Sequence, residues 1–216
     1  MLSGPSYKTL SGDAPQSLVV FLHGYGSNGQ DLISMAPFMQ KSLPHTEFLS
    51  PNAPERMGNM PMGMGYQWFE LGMMDPAHIL PGMRRSLPLL NAYLDKALQD
   101  RGLTDKNLAL VGFSQGTMMA LQTGLTRETA CAGVLGFSGA YYPDPLTQTR
   151  SKPPVSLIHG DADMVLSLEY FHNAVENLNA QGIQPETHIR PFLGHGIDPV
   201  GLQLGTAFLK KVLYTE

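Results

Sequence analysis

Short apolar runs that favour β-strands alternate along this chain with longer segments of helical periodicity. The strand candidates are residues 18–22, 47–50, 107–111, 133–137, 155–158 and 187–192. The helix candidates are residues 31–40, 86–101, 115–125, 168–181 and 199–214. This alternation predicts an α/β fold in which a mostly parallel central sheet carries helices on both faces. At 216 residues the chain can bury one large core, so we expect a single domain over residues 1–216.

Prolines help to place two of the helix ends. Pro199 follows Asp198, which can act as an N-cap, so the last helix should begin there. We expect Pro88 in the first turn of the helix at 86–101, because a proline deeper in a helix costs about 3 kcal/mol.

Composition excludes several classes of protein. A hydrophobic content of 43% with 15% charged residues argues against disorder, and a net charge of −4 disfavours a nucleic-acid partner. The single cysteine, Cys131, allows no internal disulfide and no cysteine-based zinc site, and we expect it to be a buried, inert thiol. The N-terminus does not resemble a signal peptide, and the apolar runs are far shorter than the ~20 residues that cross a bilayer. We therefore expect a cytoplasmic protein without stable membrane insertion.

The pentapeptide Gly112-Phe113-Ser114-Gln115-Gly116 joins a strand candidate to a helix candidate. A serine on so tight a turn is held in a strained backbone conformation that lifts its hydroxyl clear of the sheet. Glycines two residues to either side let the strand and the helix approach each other. Because Gly-x-Ser-x-Gly also arises by chance, Ser114 is a candidate nucleophile only if suitable partners follow.

Two later segments supply such partners. A serine hydroxyl needs a base to take its proton, and a third group to orient that base. Residues 159–163 and 193–196 each follow a strand candidate, at the sheet edge where α/β folds place their sites. His195 lies between two glycines and is the candidate base. Asp161 and Asp163 lie in one loop, and local geometry alone leaves them nearly even as the candidate acid.

A glycine-rich turn follows the first strand candidate. Glycines 24 and 26 would turn the chain sharply and leave the N–H of Tyr25 unpaired. Together with the N–H of Gln115, at the start of the next helix, it would form an oxyanion hole. His23 is expected to support this turn rather than to transfer protons.

In these segments the chain resembles the phospholipase/carboxylesterase family of α/β-hydrolases, which includes the acyl-protein thioesterases. The matching residues are 22–26, 112–116, His159, Gly160, Asp163, Val165, Gly194 and His195. The resemblance implies a compact α/β-hydrolase fold. It also implies a serine hydrolase that cleaves carboxylic esters or thioesters through an acyl-enzyme, without a cofactor or metal.

The same resemblance assigns the roles of the residues. Ser114 would be the nucleophile, Asp163 the acid and His195 the base, with backbone N–H groups of Tyr25 and Gln115 as the oxyanion hole. Three positions depart from the pattern of many relatives, namely Ser27, Thr117 and Met164. None is a catalytic side chain, but the departures leave the subfamily open. The substrate can thus be a small ester or thioester, a lysophospholipid or an acylated protein.

Two alternatives belong to other classes. Gly24, Gly26 and Gly29 formally satisfy the Gly-x-Gly-x-x-Gly fingerprint of a dinucleotide-dependent oxidoreductase. That fingerprint needs an acidic residue at the end of the second strand, whereas Glu47 begins its strand. The other alternative is a catalytically inactive hydrolase fold that serves as a binding protein, and the complete set of candidate residues counts against it.

One stretch, residues 51–81, is rich in methionine and has no clear helical period. Methionine adapts to irregular apolar shapes, so this excursion is a candidate substrate-binding loop. We expect Met62, Met64, Trp68 and Phe69 to surround an acyl chain. The alternative, with about equal support, is that these side chains only cover the edge of the sheet.

Overall fold

The fold is built on a seven-stranded sheet. The computed structural model describes residues 1–58, 65–72 and 74–214. The strands are β1 (Ser6–Tyr7), β2 (Ser17–Leu22), β3 (Thr46–Leu49), β4 (Glu55–Arg56), β5 (Tyr66–Gln67), β6 (Leu108–Phe113), β7 (Gly133–Phe137), β8 (Val155–Gly160) and β9 (Glu186–Arg190). In space the large sheet has the order β1-β3-β2-β6-β7-β8-β9, and β4 pairs with β5 in a separate ribbon. Only β1 is antiparallel to its neighbour in the large sheet, so the predicted mostly parallel sheet is confirmed.

Helices cover both faces of this sheet, as predicted. They are α1 (Gly29–Ile33), α2 (Ala36–Gln40), α3 (Pro76–Gln99), α4 (Gln115–Thr126), α5 (Leu168–Ala180) and α6 (Pro199–Leu213). Helices α3, α4 and α5 pack into one apolar cluster, and α1, α2 and α6 pack into another on the opposite face. Successive residues of β2 alternate between the two clusters and all are buried. A strand buried on both faces is typical of a parallel sheet, which explains the continuous apolar runs in the sequence.

Two predicted helices differ from those observed, and proline is involved in both. The helix expected at residues 31–40 is split into α1 and α2, because Pro37 has no N–H to donate to the carbonyl of Ile33. Helix α3 begins at Pro76, ten residues before the predicted start, with Asp75 as its N-cap. The expectation that Pro88 lies in a first turn is therefore wrong, since Pro88 lies well inside this long helix.

Helix α6 begins where the sequence predicts. The carboxylate of Asp198 accepts a hydrogen bond of 2.7 Å from the N–H of Gly201, and Pro199 occupies the first turn. This N-cap places the end of the preceding loop, which carries His195. Within the ranges that the structure describes, no helix has the length and apolar character needed to span a bilayer.

The thiol of Cys131 is buried, as expected. Burial disfavours its charged form and raises the pKa of Cys131 to about 12. Burial therefore favours the neutral thiol, which is the less reactive form.

Candidate active site

Ser114 occupies the sharp turn between β6 and α4. Its φ of 54° and ψ of −117° lie outside the regions that non-glycine residues normally adopt, which costs on the order of 1–3 kcal/mol. A Cβ added at Gly116 would overlap the carbonyl of Leu22 on the neighbouring strand. One added at Gly112 would overlap the backbone at Thr117. Both glycines are thus required for this crossing of strand and helix, as the sequence predicts.

The structure brings Asp163 and His195 into contact. The Nδ1 of His195 lies 2.8 Å from Oδ2 of Asp163. The other carboxylate oxygen accepts hydrogen bonds from the N–H groups of Val165, at 2.8 Å, and Leu166, at 2.9 Å. The Asp163 side chain is fully buried, and its carboxylate is held in place by three hydrogen bonds. Because a carboxylate can only accept, the proton of the neutral imidazole is on Nδ1, and Nε2 is left free to receive another.

The competing carboxylate, Asp161, has a different role. Its Oδ1 accepts a hydrogen bond of 2.6 Å from the N–H of Phe192, and its own N–H donates to the carbonyl of Arg190. It therefore joins the loop after β8 to the loop after β9. Only Asp163 of the two contacts His195 in the structure.

His195 lies beside the serine turn. Its ring packs against that of Phe113, the residue directly before Ser114, with ring centroids 5.0 Å apart and the ring planes tilted by 47°. The N–H of Ser114 donates to the carbonyl of Phe137 at the end of β7, and Ser138 donates in the same way to Ile158 of β8. Ser114 follows β6, Asp163 follows β8 and His195 follows β9, so the carboxyl ends of these parallel strands bring the three residues to one edge of the sheet.

His159 lies next to this group but is engaged elsewhere. Its Nε2 is 2.7 Å from the carbonyl of Leu166 and therefore carries the proton. The same nitrogen is 3.4 Å from a carboxylate oxygen of Asp163. Burial lowers the pKa of His159, so it is neutral near pH 7 and fixes the loop that carries Asp163.

The glycine-rich turn after β2 faces the serine. A Cβ built on Gly24 would lie 3.4 Å from the Cβ of Ser114. In residues 1–58, 65–72 and 74–214, no group accepts a hydrogen bond from the N–H of Tyr25 or Gln115. The turn itself is pinned by β5, because Gly26 donates to the carbonyl of Tyr66 and Tyr66 donates back to Ser27, both at 2.9 Å. Two free donors beside a nucleophile can stabilise an oxyanion.

His23 fixes the direction of one of these donors. Its Nε2 accepts a hydrogen bond of 2.9 Å from the N–H of Ala53, so the ring proton is on Nδ1. That Nδ1 donates to the carbonyl of Gly24 at 2.8 Å. The Gly24 carbonyl and the Tyr25 N–H belong to one planar peptide group, so holding the carbonyl also orients the N–H. Burial lowers the pKa of His23 and keeps the ring neutral.

The side chain of Gln115 has a function that the sequence did not indicate. Its Oε1 accepts from the N–H of Trp68 at 2.9 Å, and its Nε2 donates to the carbonyl of Phe69 at 2.7 Å. This fully buried amide ties the excursion to the start of α4, where its own N–H is one of the two free donors. A buried glutamine must find such partners, but the sequence does not show which backbone groups supply them.

Trp68 and Phe69 lie in the core and not on the wall of an open cleft. Both side chains are 0% exposed. The indole N–H of Trp68 donates to the carbonyl of His23 at 3.0 Å, and Phe69 packs against Gly82 of α3. Their aromatic surface is used by the protein itself, which corrects the expectation that they surround an acyl chain. Met62 and Met64, predicted for the same role, lie outside the described residues.

Exposed apolar side chains flank the candidate site instead. Met164, directly after Asp163, is 97% exposed, and Phe192, three residues before His195, is 94% exposed. Phe192 also has a φ of 59°, a conformation that is rare and costly for an aromatic residue. We name Met164, Val165 and Phe192 the apolar rim. No sequence motif marks it, because its members belong to two separate loops.

The acidic residue considered for a dinucleotide-binding site, Glu47, has a structural role instead. Glu47, the acid nearest to the required spacing, is buried at the start of its strand, opposite the edge that carries Ser114. Burial by itself would raise the pKa of Glu47, but hydrogen bonds from Arg101 and Lys8 lower it below its usual value. Its carboxylate is therefore part of a structural ion-pair cluster.

Comparison with known proteins identifies the family. The model of the phospholipase/carboxylesterase family matches residues 9–213. The chain belongs to this family. It is 31% identical over 225 residues to acyl-protein thioesterase 1 of Mycosarcoma maydis, with 94% of each chain covered. It is 29% identical to acyl-protein thioesterase 1 of Yarrowia lipolytica, covering 77% of this chain and 78% of that one.

A solved structure agrees with the sequence relatives. The crystal structure of esterase PE8 is similar with a TM-score of 0.91 and 42% identity, and the match covers 98% of this chain and 99% of that one. The predicted α/β-hydrolase fold and the predicted class of activity are therefore confirmed. The protein is a serine hydrolase that cleaves esters or thioesters.

Proposed function

We propose that Ser114, His195 and Asp163 are the catalytic triad of this hydrolase. The observation that carries the proposal is the 2.8 Å contact between His195 and Asp163, beside a serine in a strained turn. The contact puts the imidazole proton on Nδ1 and leaves Nε2 available as a base.

The proposed reaction has two halves. The Ser114 hydroxyl attacks the acyl carbonyl while Nε2 of His195 takes its proton, and the N–H groups of Tyr25 and Gln115 stabilise the oxyanion. His195 then protonates the leaving alcohol or thiol as the carbonyl re-forms. Water, activated by His195, attacks the acyl-enzyme and releases the acid and free Ser114. Asp163 stabilises the imidazolium at each step.

We further propose that the acyl chain lies across the apolar rim. The side chains of the rim belong to the same two loops as Asp163 and His195, and they expose apolar surface to solvent. A chain resting there would remove that surface from water, which favours longer acyl groups. The candidate substrates are small esters, thioesters, lysophospholipids and acylated proteins, as the family relationship indicates. We propose a cytoplasmic location on the basis of the buried, unpaired thiol of Cys131.

The triad is tested with a fluorophosphonate probe and a chromogenic ester. The probe should label Ser114, and Ser114→Ala should abolish labelling and lower turnover by several orders of magnitude. Ser3→Ala, at an exposed serine near the N-terminus, is the matched control and should behave as the unmodified enzyme. Labelling of another serine, or full activity of Ser114→Ala, would contradict the proposal.

A further inference from the structure

A cavity of about 400 Å³ lies between the loop that follows β7 and the first turns of α5. Three tyrosines, Tyr141, Tyr142 and Tyr170, contribute to its wall, and the polar residues of the wall are Glu169, Asn173, Glu176 and Asn177. None of these residues belongs to the proposed triad, the oxyanion hole or the apolar rim. The cavity is therefore a feature that the proposed reaction does not explain.

The hydroxyl groups of two of these tyrosines are already used by the protein. The Tyr142 hydroxyl donates to the carbonyl of Met74 at 3.3 Å, and the Tyr141 hydroxyl accepts from the side-chain amide of Gln181 at 2.9 Å. Burial raises the pKa of Tyr142 to about 12, so this ring is neutral. What these side chains have left for a ligand is aromatic surface.

The charge around the cavity is negative. Glu169 and Glu176 are seven residues apart on α5 and therefore lie on the same side of the helix. In the part of the chain that the structure describes, neither glutamate forms an ion pair. Helix α5 contains no lysine or arginine. An anionic ligand would be repelled from this cavity, and a cation would be attracted.

We propose that this cavity binds an organic cation of the quaternary ammonium type. Tyrosine rings attract such a cation through their negative faces when it lies within about 6 Å of the ring centre, and carboxylates nearby add to the attraction. A metal ion fits less well, because no group of three or more His, Cys, Asp or Glu side chains is placed to hold one among the described residues. A quaternary ammonium needs only negative charge and contact with ring faces, and the two glutamates and the tyrosines at the cavity offer both.

The position of the cavity suggests where the cation comes from. The loop at residues 140–142 follows β7, the strand that lies between the strands carrying Ser114 and Asp163. The alcohol part of an ester could therefore place its cationic end in the cavity while its carbonyl lies at Ser114. This refinement rests on the proposed function, but binding of the free cation does not.

Binding is tested directly by calorimetric titration with choline chloride and with its neutral isostere 3,3-dimethylbutan-1-ol at constant ionic strength. Choline should bind roughly 3- to 30-fold more tightly than the isostere, the range expected for a cation over aromatic rings. Equal affinity for the two, or no binding of choline, would overturn the proposal. The result does not depend on whether the protein hydrolyses any ester.

Matched variants locate the site. Tyr170→Leu should weaken choline binding, while Tyr170→Phe should retain it because the ring remains. The double variant Glu169→Gln/Glu176→Gln should also weaken binding. Controls are Tyr7→Leu and Glu128→Gln/Glu186→Gln, which alter a tyrosine and two glutamates outside the cavity. If Tyr170→Leu does not fold, Tyr170→Phe and the double glutamine variant still test the location of the choline site. Unchanged choline binding in the double glutamine variant would contradict that location.

A pair of esters then tests the substrate form of the proposal. The choline ester and the 3,3-dimethylbutyl ester of the same acid are compared by kcat/KM. A preference for the choline ester that disappears in Tyr170→Leu supports a cationic alcohol as part of the substrate. Equal kcat/KM values, with choline still binding, would overturn the substrate form and assign the cavity to the free cation. Failure to hydrolyse either ester would instead count against the proposed function.

Discussion

Asp161 and Asp163 show how two identical side chains in one loop acquire different roles. The Asp163 side chain is buried with three hydrogen bonds and contacts His195, whereas Asp161 is exposed and accepts the N–H of Phe192. In the proposed reaction, the buried carboxylate in contact with His195 stabilises the imidazolium that forms during attack. The difference is set by which backbone N–H groups face each carboxylate.

We predict that Asp163→Asn lowers kcat by about 10⁴-fold, because the amide can force the wrong tautomer on His195 and cannot stabilise its positive form. Asp161→Asn keeps an oxygen for the N–H of Phe192 and should change kcat by less than about 10-fold. Steady-state kinetics on one ester measures both variants. A larger loss for Asp161→Asn would show that the acid has been assigned to the wrong residue.

At the scale of elements, helix α4 and the 51–81 excursion are joined beside the candidate active site by contacts that no local sequence pattern predicts. Helix α4 and residues 68–69 are far apart in the sequence. The side-chain amide of Gln115 nevertheless forms hydrogen bonds with the backbone of both Trp68 and Phe69. Cutting this link should loosen the support of the turn that holds Tyr25, since β5 lies directly before Trp68. The amide thus connects the excursion to the proposed oxyanion hole.

Gln115→Met is expected to lower the free energy of unfolding by about 2–6 kcal/mol, because the N–H of Trp68 and the carbonyl of Phe69 would each be left unpaired, at roughly 1–3 kcal/mol per group. It should also lower kcat more than it raises KM, since a misplaced donor acts on the transition state. Gln99→Met, at an exposed position of α3, is the control. Urea denaturation and kinetics provide the measurements, and a stability close to that of the control would show that the two bonds contribute little.

The sequence predicts features that depend on neighbouring residues, but not those that depend on contacts between residues distant in the chain. The elbow glycines and the N-cap Asp198 act within a few residues, so their effects are visible in the sequence. The early start of α3 is not visible in the sequence, because Pro81, Gly82 and Pro88 interrupt its helical period. The buried position of Trp68 is not visible in the sequence, because the carbonyl of His23, which accepts from its indole N–H, is 45 residues away. The triad acid needed the family resemblance, since spacing alone left two candidates.

At the scale of the whole molecule, two buried neutral histidines make stability depend on pH. Burial lowers the pKa of both His23 and His159 below 6.5 in the folded state. The unfolded chain therefore binds more protons below pH 6.5, so stability is complete above that pH and decreases as the pH falls. Each histidine contributes a slope of up to about 1.4 kcal/mol per pH unit.

We predict that in His159→Gln the free energy of unfolding decreases less steeply between about pH 6.5 and pH 5. The reason is that the unfolded chain then has one imidazole fewer that takes up a proton on unfolding. Gln99→Met, at an exposed position of α3 that does not titrate, should leave the slope unchanged. Urea denaturation at a series of pH values measures both. An identical slope in His159→Gln and the unmodified protein would show that this ring does not titrate on unfolding.

The apolar rim relates the surface of the molecule to its choice of acyl chain. Two loops, joined by the hydrogen bonds of Asp161, hold Met164 and Phe192 almost fully exposed, close in sequence to Asp163 and His195. If an acyl chain rests there, each methylene that it buries contributes up to about 0.8 kcal/mol to transition-state binding. Met164→Ser and Phe192→Ser should then lower kcat/KM for long-chain esters by roughly 10-fold and change it by less than about 2-fold for acetyl esters. Leu10→Ser, at an exposed leucine near the N-terminus, is the control. An equal loss for all chain lengths would mean that the rim shapes the triad loops and does not bind the chain.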